Sequence, residues 1–296
     1  MSNLPELDRK TPIAVVAAGR LGSSLAHAAL KAGYNVVAIS SRRASHRKWL
    51  ASRLTSPTIT ENAQIATDLA AAAFITGPDS VINEICDGIT WRSDQAVLHC
   101  AGVLPLSALT HATEQGAATA GFHPLQTFPS PESSDRLHRV SFAIESQDSE
   151  LRDWLARLAT DLGGSSIEIE SGQRASYHAS AVMACGLLAG LAGIAAEMWE
   201  PLGVDRGDAL RRLIPLIRAT ADALEEHGLP SAITGPFVRG DTATIESHLE
   251  ATNQLSIEVG RAYAALAQAS LHIAKEQGGL SDDAYERIKS LLSLGN

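Results

Sequence analysis

The segment IAVVAAGRLGSSLAHAALKAGYNVVAISSRR, residues 13–43, decides the fold of this chain. An apolar run at residues 13–17 enters a turn with two glycines, a helix of small residues follows, and a second apolar run starts at Asn35. Gly33 is placed to end the helix, because glycine is common just after the last helical residue. This βαβ pattern predicts an α/β fold with a doubly wound, mostly parallel sheet.

The turn reads Ala17-x-Gly19-x-x-Gly22, a dinucleotide fingerprint with alanine in place of the first glycine. Gly19 lets the backbone approach a pyrophosphate, Gly22 lets the helix pack closely on the strand, and the free N–H groups of the helix N-terminus attract phosphate. The alternative is a buried βαβ unit without a nucleotide. We predict that five consecutive residues bind the cofactor phosphates: Ala18, Gly19, Arg20, Leu21 and Gly22.

The end of the second strand indicates which cofactor is bound. An NAD site usually has Asp or Glu about 20 residues past the turn, but this chain has Ser40, Ser41, Arg42 and Arg43 there. A carboxylate would repel a 2′-phosphate, whereas serine hydroxyls and guanidinium groups bind one well. The sequence therefore favours NADP over NAD, with these four residues in the cofactor site.

Composition and charge exclude several classes of function. The chain has 296 residues, enough for two domains, and its net charge of -9 argues against nucleic acid or an anionic membrane as a partner. Cys86, Cys100 and Cys185 show no CxxC spacing, which suits a reducing compartment, and we predict no metal site. No apolar run reaches about 18 residues without charge. Residues 179–196 are predicted as a helix in a domain or dimer core, and a cytoplasmic location is expected.

Three more buried strands are predicted, at residues 70–76, 96–100 and 117–122, while residues 58–66 are predicted as a polar connection. The carboxyl ends of such strands open onto the crevice where ligands of doubly wound folds bind. We therefore add to the cofactor site the residues that follow the first two of these strands: Gly77, Pro78, Ala101 and Gly102.

The pattern changes at Gly172, where strand-like runs stop and long helical patterns take over. We predict a Rossmann dinucleotide-binding domain at residues 1–171 and an all-α domain at residues 172–296. The helical patterns in this second part cover residues 174–199, 206–227, 242–277 and 281–294.

His123 is the first candidate for proton transfer, because it follows a predicted strand and Pro124 fixes the turn after it. Gln126 and Thr127 could orient a substrate, while His123 could alternatively do no more than cap backbone groups. His99 lies inside a strand and is as readily a hydrogen-bonded core histidine as a functional one.

Two further candidates lie in the helical part. His178 follows Tyr177 near the start of the first helix, although it could be an ordinary helix residue. The segment ITGPFVRGD, residues 233–241, interrupts two helical patterns with Gly-Pro and Arg-Gly-Asp. Arg239 is suited to bind a carboxylate in a bidentate manner. Asp241 is a helix cap that could also position Arg239. We assign Thr234 to the same substrate site.

No lysine occurs between Lys48 and Lys275, so an ammonium group is not available as a proton donor in this part of the sequence. Histidine must take that role, or Arg239 and an ordered water must share it. His248 lies about two turns into the helix that follows Asp241, and we predict a structural role for it.

Four segments carry a resemblance to a known family: AAGRLGSSLA, GFHPLQTF, YHASAVMA and ITGPFVRGD. With them the chain resembles proteins that join a Rossmann-like domain to a domain of unknown function 2520, within the 6-phosphogluconate dehydrogenase-like superfamily. The resemblance implies an NADP-dependent oxidoreductase, with ketopantoate reductase as one named activity. It also implies a substrate between the domains, with His123, His178 and Arg239 beside it, and a homodimer formed by the helical domain.

Two departures from the family pattern stand out: Ala17 replaces a glycine, and Cys185-Gly186 falls where Ser-Asn is more common. The first hypothesis is NADPH-dependent reduction of a small 2-oxo acid, in which Arg239 holds the carboxylate and His123 or His178 supplies the proton. A second keeps the fold but reduces an imine or acts as a prephenate or arogenate-type dehydrogenase. A third is an NADP-binding regulatory protein without turnover.

Overall fold

A computed structural model describes residues 4–294, and the chain divides into two compact units. The first unit ends at Val182 and the second begins at Met183. The first contains an eight-stranded sheet with helices on both faces, and the second is helical. The predicted α/β fold, with a Rossmann-like sheet followed by an all-α region, is confirmed.

The sheet has the order β3-β2-β1-β4-β5-β6-β7-β8. Neighbouring strands run parallel except for β6 and β7, which pair antiparallel. Strands are added to one side of β1 up to β3 and to its other side from β4 onward, so the strand order reverses between β1 and β4. A doubly wound fold places its ligand crevice at this point. The strands are β1 (Ile13–Val16), β2 (Val36–Ser40), β3 (Thr58–Thr60), β4 (Ala72–Ile75), β5 (Ala96–His99), β6 (Ala118–Pro124), β7 (Ser141–Ser146) and β8 (Ser165–Glu168).

Helices cover both faces of the sheet, so its central strands are buried on both sides. Ile13 and Val15 of β1 pack in one apolar cluster, which contains Trp154, whereas Ala14 and Val16 pack in a second. This division follows from the alternation of side chains along a strand. The helices of this unit are α1 (Arg20–Lys31), α2 (Ala44–Arg53), α3 (Ala63–Asp68), α4 (Ile82–Asp87), α5 (Thr110–Glu114), α6 (Ser149–Asp161) and α7 (Arg174–Val182).

The predicted polar connection at residues 58–66 is wrong, because this segment contains β3 and the start of α3. β3 is an edge strand of three residues with one apolar side chain, Ile59, so it is too short for apolar alternation to identify it. The side chain of Asn62 accepts hydrogen bonds from the backbone N–H groups of Gln64 and Ile65, and thereby caps α3.

The second unit has a core of its own, formed by apolar residues such as Ile245, Leu271 and Ile288. The predicted helix at residues 242–277 is two helices, because Ser256 adopts an extended backbone and its hydroxyl accepts from the N–H of Val259. A π-helical stretch, Met183–Leu187, opens the unit. Its α-helices are α8 (Leu188–Glu197), α9 (Arg206–His227), α10 (Pro236–Arg239), α11 (Thr242–Leu255), α12 (Ile257–Glu276) and α13 (Asp282–Leu294).

Candidate functional site

Residues 17–22, which we call the phosphate turn, connect β1 to α1. Ala17 has a φ of 55°, a left-handed conformation that alanine rarely adopts and glycine adopts freely. Its N–H donates to Ser40 Oγ at 3.2 Å, and the N–H of Ala18 donates to the Ser40 carbonyl oxygen at 2.8 Å. The replacement of the first glycine therefore leaves the backbone in the glycine-like conformation, at a cost of about 1–2 kcal/mol.

The two glycines of the phosphate turn have different surroundings. A Cβ on Gly19 would meet no atom within 4 Å, so open space adjoins this residue. A Cβ on Gly22 would collide with the Thr76 side chain and lie 3.1 Å from Val15 Cγ1, so the helix packs too closely for a side chain. The first N–H groups of α1 have no acceptor within the helix, and Gly19 provides no side-chain cap. The turn therefore fits a bound phosphate group.

At the end of β2 the predicted residues separate into two kinds. Ser40 and Ser41 are buried, and the Ser40 hydroxyl is used by the phosphate turn. Arg42 and Arg43 are exposed. Arg47 holds the backbone between these pairs, since its Nη1 donates to the carbonyl oxygens of Ser41 and Arg42 at 2.8 Å. Two guanidinium groups are thus presented to solvent on a fixed loop, which fits a second phosphate better than a ribose diol.

The residues after β4 and β5 lie at the same edge of the sheet. A Cβ on Gly77 would be 3.5 Å from Ala17 Cβ, so the end of β4 contacts the phosphate turn, and Pro78 is exposed beside it. Ala101 and Gly102 are buried instead. A Cβ on Gly102 would be 3.0 Å from His123 Nε2, which places the end of β5 against the candidate histidine.

His123, Tyr177 and His178, which we call the histidine site, lie together at the end of β6. His123 Nδ1 and Tyr177 Oη are 2.9 Å apart, within hydrogen-bonding distance. The rings of His123 and His178 have centroids 6.2 Å apart at an angle of 75°. A Cβ on Gly102 would collide with His178, so this glycine allows the two histidines to approach the loop after β5. The sequence prediction of His123 and His178 therefore names two side chains that are neighbours.

Burial keeps His123 and Tyr177 uncharged near neutral pH. Burial, followed by the charges of His178 and Arg174, lowers the pKa of His123 from 6.5 to about 4. Burial raises the pKa of Tyr177 to about 12, against the opposing effect of Arg174. A neutral imidazole hydrogen-bonded to a neutral phenol can relay a proton, because each group both donates and accepts.

Sequence reasoning missed Tyr177 as a site residue, and it missed Arg174 and Glu145 altogether. Arg174 is 1% exposed and forms an ion pair with Glu145, which is 6% exposed. Glu145 follows the apolar run 142–144 of β7 and is buried with it, and a buried carboxylate requires a cation. That requirement is the signal in the sequence, although the sequence does not say which cation meets it.

His99 is buried at the end of β5. Burial, with the charges of Arg174 and His123, lowers its pKa to about 3. Neither ring nitrogen makes a hydrogen bond of normal geometry among residues 4–294, and the backbone of Pro105 opposes the fall in the pKa only weakly. It is therefore a buried core histidine, as the sequence suggests as an alternative to a functional residue, and its ring is only weakly hydrogen-bonded.

The remaining predicted substrate residues are exposed or form hydrogen bonds with residues close to them in the sequence. Gln126 and Thr127 lie on the exposed turn after β6, where the Gln126 side chain accepts from the Thr127 N–H at 2.8 Å. In the second unit, Thr234 and Arg239 are exposed. Asp241 caps α11 by accepting from the Thr244 N–H at 3.1 Å and hydroxyl at 2.6 Å.

His248 is exposed in the second unit, and its Nδ1 lies 2.9 Å from Tyr263 Oη. This contact supports the structural role that the sequence predicts for it. Within residues 4–294, His, Cys, Asp and Glu form no group that could hold a metal ion.

Comparison with known proteins finds two family models along the chain. Residues 6–124 match the Rossmann-like domain, and residues 140–270 match the domain of unknown function DUF2520. No curated protein matches the sequence.

Among solved structures, one described as a "putative NADP oxidoreductase" from Bacteroides fragilis is 26% identical, has a TM-score of 0.69, and covers 89% of this chain and 99% of its own. A 1-pyrroline-5-carboxylate reductase from Streptococcus pyogenes is 18% identical, with a TM-score of 0.63 over 96% and 100% of the two chains. A reductive aminase from Aspergillus terreus in complex with NADPH and ethyl levulinate is 15% identical, with a TM-score of 0.65 over 97% and 100%. The last two show a shared fold.

Proposed function

We propose that this chain, which belongs to the proteins that join a Rossmann-like domain to a DUF2520 domain, is an NADP-dependent oxidoreductase that reduces a C=O or C=N bond. One observation carries the proposal: a phosphate turn with open space at Gly19 and the histidine site occupy the carboxyl edge of the same sheet. A doubly wound fold binds its cofactor along this edge. The similar protein from Bacteroides fragilis, with its NADP oxidoreductase description, supports the same assignment.

The chain's own residues fit NADP. The backbone N–H groups at residues 18–22 would hold the pyrophosphate, and Arg42 and Arg43 would pair with the 2′-phosphate. No carboxylate occupies the end of β2, where NAD sites have one. When bound, the cofactor supplies a hydride, and the chain supplies the proton and the orientation of the substrate.

The proton route follows from the histidine site. When Tyr177 donates its hydroxyl hydrogen to His123 Nδ1, the tautomer of His123 carries its own proton on Nε2. That N–H can donate to a substrate carbonyl oxygen and polarise it. As the oxygen becomes an alcohol it takes the Nε2 proton, and the Tyr177 proton moves to Nδ1. A proton from water on Nε2 and the return of the Nδ1 proton to the Tyr177 oxygen then restore the starting tautomer. His178 is the alternative donor next to His123.

We propose that the substrate is a small molecule that carries a carboxylate group. Arg239 is an exposed guanidinium in the second unit, suited to bind a carboxylate with two parallel hydrogen bonds. A 2-oxo acid such as ketopantoate is the first candidate. A cyclic imine is the second, because the 1-pyrroline-5-carboxylate reductase and the reductive aminase share the fold. Replacement of Arg239 by alanine should weaken the binding of carboxylate substrates far more than that of uncharged analogues.

Two measurements test the proposal. Titration of protein fluorescence with NADPH and with NADH should show much tighter binding of NADPH. Oxidation of NADPH, followed across a panel of 2-oxo acids and imines, should identify the bond that is reduced. Tight NADPH binding without oxidation by any member of the panel would support the regulatory alternative instead, and equal affinity for both cofactors would contradict the role of Arg42 and Arg43.

We also propose that the enzyme is a homodimer. The sequence predicts residues 179–196 in a domain or dimer core, yet most of this helical stretch is exposed in the chain. Met183, Leu187 and Leu191 follow at intervals of four and are 61%, 60% and 43% exposed, so they form an apolar stripe on one face.

By length and composition the stretch Ser171–Leu202 could also cross a membrane, so the expectation that no apolar run reaches this length is wrong. Because no lysine or arginine occurs between Arg174 and Arg206, attraction to anionic lipid has no basis there, and a second copy of the chain is the better occupant. Sedimentation should show a dimer that Leu187→Glu dissociates, while Ile257→Glu, an equally polar change at an exposed position of α12, leaves it intact. A wild-type monomer would overturn this proposal.

A further inference from the structure

Three residues lie in one row across the sheet, next to the histidine site. His99 of β5 is paired in register with Gly121 of β6, and Gly121 is paired with Glu145 of β7. Residues paired side by side on neighbouring strands direct their side chains to the same face of the sheet. Because Gly121 has no side chain, the row leaves a gap between the imidazole of His99 and the carboxylate of Glu145.

The guanidinium group of Arg174 occupies this gap. Its Nε donates to Glu145 Oε2, and its Nη1 donates to the carbonyl oxygen of Ala101 at 3.1 Å. A Cβ on Gly121 would collide with Nη2. One buried side chain at the start of α7 is therefore bonded to β7, bonded to the loop after β5, and packed on β6.

We propose that Arg174 is a positioning residue, which holds Tyr177 and His178 against His123. Arg174 is the first residue of α7, and residues three and four positions further along a helix lie on the same face. In this chain those residues are Tyr177 and His178. An anchor at the first turn therefore fixes the placement of both rings, and it maintains the distance of 2.9 Å between Tyr177 Oη and His123 Nδ1.

This proposal rests on the proposed function for the task of the two rings, but the anchoring itself does not depend on it. Lysine in place of arginine would keep the positive charge and lose the geometry. An ammonium group on a flexible stem cannot bond Glu145 and the Ala101 carbonyl in the fixed fork that guanidinium provides. The geometric and the electrostatic effects of Arg174 can therefore be separated by two variants.

The electrostatic effect concerns the charge state of His123. After burial and the charge of His178, the positive charge of Arg174 is the third cause of the low pKa of His123. The titratable and charged groups around this imidazole come from α7, β5 and β7: Tyr177, His178, Arg174, His99 and Glu145.

The first test is Arg174→Lys. We expect kcat to fall by at least about tenfold, because misplacement of about 1 Å has effects of this size or larger. The Kd for NADPH should change much less than kcat, because the phosphate turn is untouched and Arg174 contacts the predicted cofactor residues only at the carbonyl oxygens of Ala101 and Gly102. In ¹⁵N NMR spectra the Nδ1 signal of His123 should lose the signature of its hydrogen bond to Tyr177. Arg9→Lys is the matched control, because Arg9 forms an exposed ion pair with Asp161 in the same unit and should change none of these readouts.

The second test is the double variant Glu145→Gln and Arg174→Met, which removes both charges and leaves neither partner buried alone. We expect the same loss in kcat, and in addition a rise in the pKa of His123 towards its ordinary value, measured by NMR titration. If Arg174→Lys keeps the His123 signal and loses activity only in proportion to folded protein, the positioning role is overturned. If the double variant retains wild-type kcat, it is overturned as well.

The NMR readout requires neither NADPH nor turnover, so the two proposals can fail separately. A wild-type protein that oxidises no NADPH, but whose His123 signal changes in Arg174→Lys, would refute the proposed function and keep the anchor. A wild-type protein with turnover, whose His123 signal and kcat are unchanged in Arg174→Lys, would refute the anchor alone.

Discussion

The phosphate turn and the histidine site lie on the same edge of one sheet, yet the first consists mainly of backbone groups and the second of side chains. The phosphate turn presents backbone N–H groups and, beside it, the exposed guanidinium groups of Arg42 and Arg43. The histidine site consists of side chains held by the buried ion pair of Arg174 and Glu145. The first therefore depends on two glycines that are close together in the sequence. The second depends on long-range pairing of side chains, for which Gly102 and Gly121 leave room.

This difference explains how each region responds to change. A backbone site loses its ligand when a side chain fills its space, while its fold can persist. A buried side-chain site changes its charge state and its stability together, because the same burial that shifts a pKa is part of the folding free energy. Four predictions, given from the largest effect to the smallest, test this comparison.

Gly19→Val should have the largest effect. A Cβ at this position meets no protein atom, so the added side chain would enter the space that a pyrophosphate needs. We expect the affinity for NADPH to fall at least about 300-fold, or more than about 3 kcal/mol. The free energy of unfolding should change by no more than about 0.5 kcal/mol, as for other surface changes. Fluorescence titration measures the affinity for NADPH, and urea unfolding measures the free energy of unfolding. Wild-type affinity would remove the phosphate turn from the cofactor site.

The pH dependence of stability should reveal the burial of His123. The folded protein holds the pKa at about 4, below the unfolded value of 6.5, so the unfolded chain binds a proton first as pH falls. Stability from this group is complete above pH 6.5 and is lost on acidification down to about pH 4, by about 3 kcal/mol. His99, with a pKa of about 3, extends the loss further.

Urea unfolding at a series of pH values measures this loss, and His123→Gln should flatten the curve between pH 6.5 and 4. The control is His27→Asn, because His27 is exposed on α1. A control curve that runs parallel to the wild type is expected. Equal slopes for the wild type and His123→Gln would show that His123 is not buried in the way described.

Gly22→Ala should have the opposite signature to Gly19→Val. A Cβ at Gly22 would collide with Thr76 and press on Val15, so the contact between helix and strand must open. We expect the free energy of unfolding to fall by about 2 kcal/mol, as for other overpacked positions. NADPH affinity of the folded fraction should change much less than in Gly19→Val. Loss of affinity with full stability would mean that the two glycines have the same role.

The contrast between the regions also accounts for what the sequence could predict. The phosphate turn is encoded within ten residues, so the spacing of Gly19 and Gly22 was sufficient to predict the strand, the turn and the helix. The sequence does not predict that the Ser40 hydroxyl bonds to the phosphate turn instead of to a ligand, because this depends on a hydrogen bond from the Ala17 N–H. The sequence does not reveal the strand within residues 58–66, because an edge strand of three residues with a single apolar side chain is too short to show an apolar pattern.

The histidine site shows more clearly what local sequence patterns do not predict. His123 and His178 were predicted singly from a strand end and a helix start, but their contact with each other comes from the fold. The anchor joins residues 29 positions apart, and it depends on the register that places Gly121 between His99 and Glu145. Register is a property of paired strands, and no local spacing in the sequence reports it.

Replacement of Arg42 or Arg43 by alanine should have the smallest effect of the four, because each removes one exposed charge and leaves the backbone of the phosphate turn intact. Affinity for NADPH should fall about tenfold for each variant, while affinity for NADH should change little, because only NADPH carries the 2′-phosphate. Lys48→Ala is the matched control, since Lys48 is an exposed cation on the neighbouring helix α2. Added salt should reduce the difference between NADPH and NADH in the wild type, because exposed ion pairs are screened. If both arginine variants lost NADH and NADPH affinity equally, Arg42 and Arg43 would contribute to the cofactor site without binding the 2′-phosphate. The preference between cofactors would then have to arise within the phosphate turn.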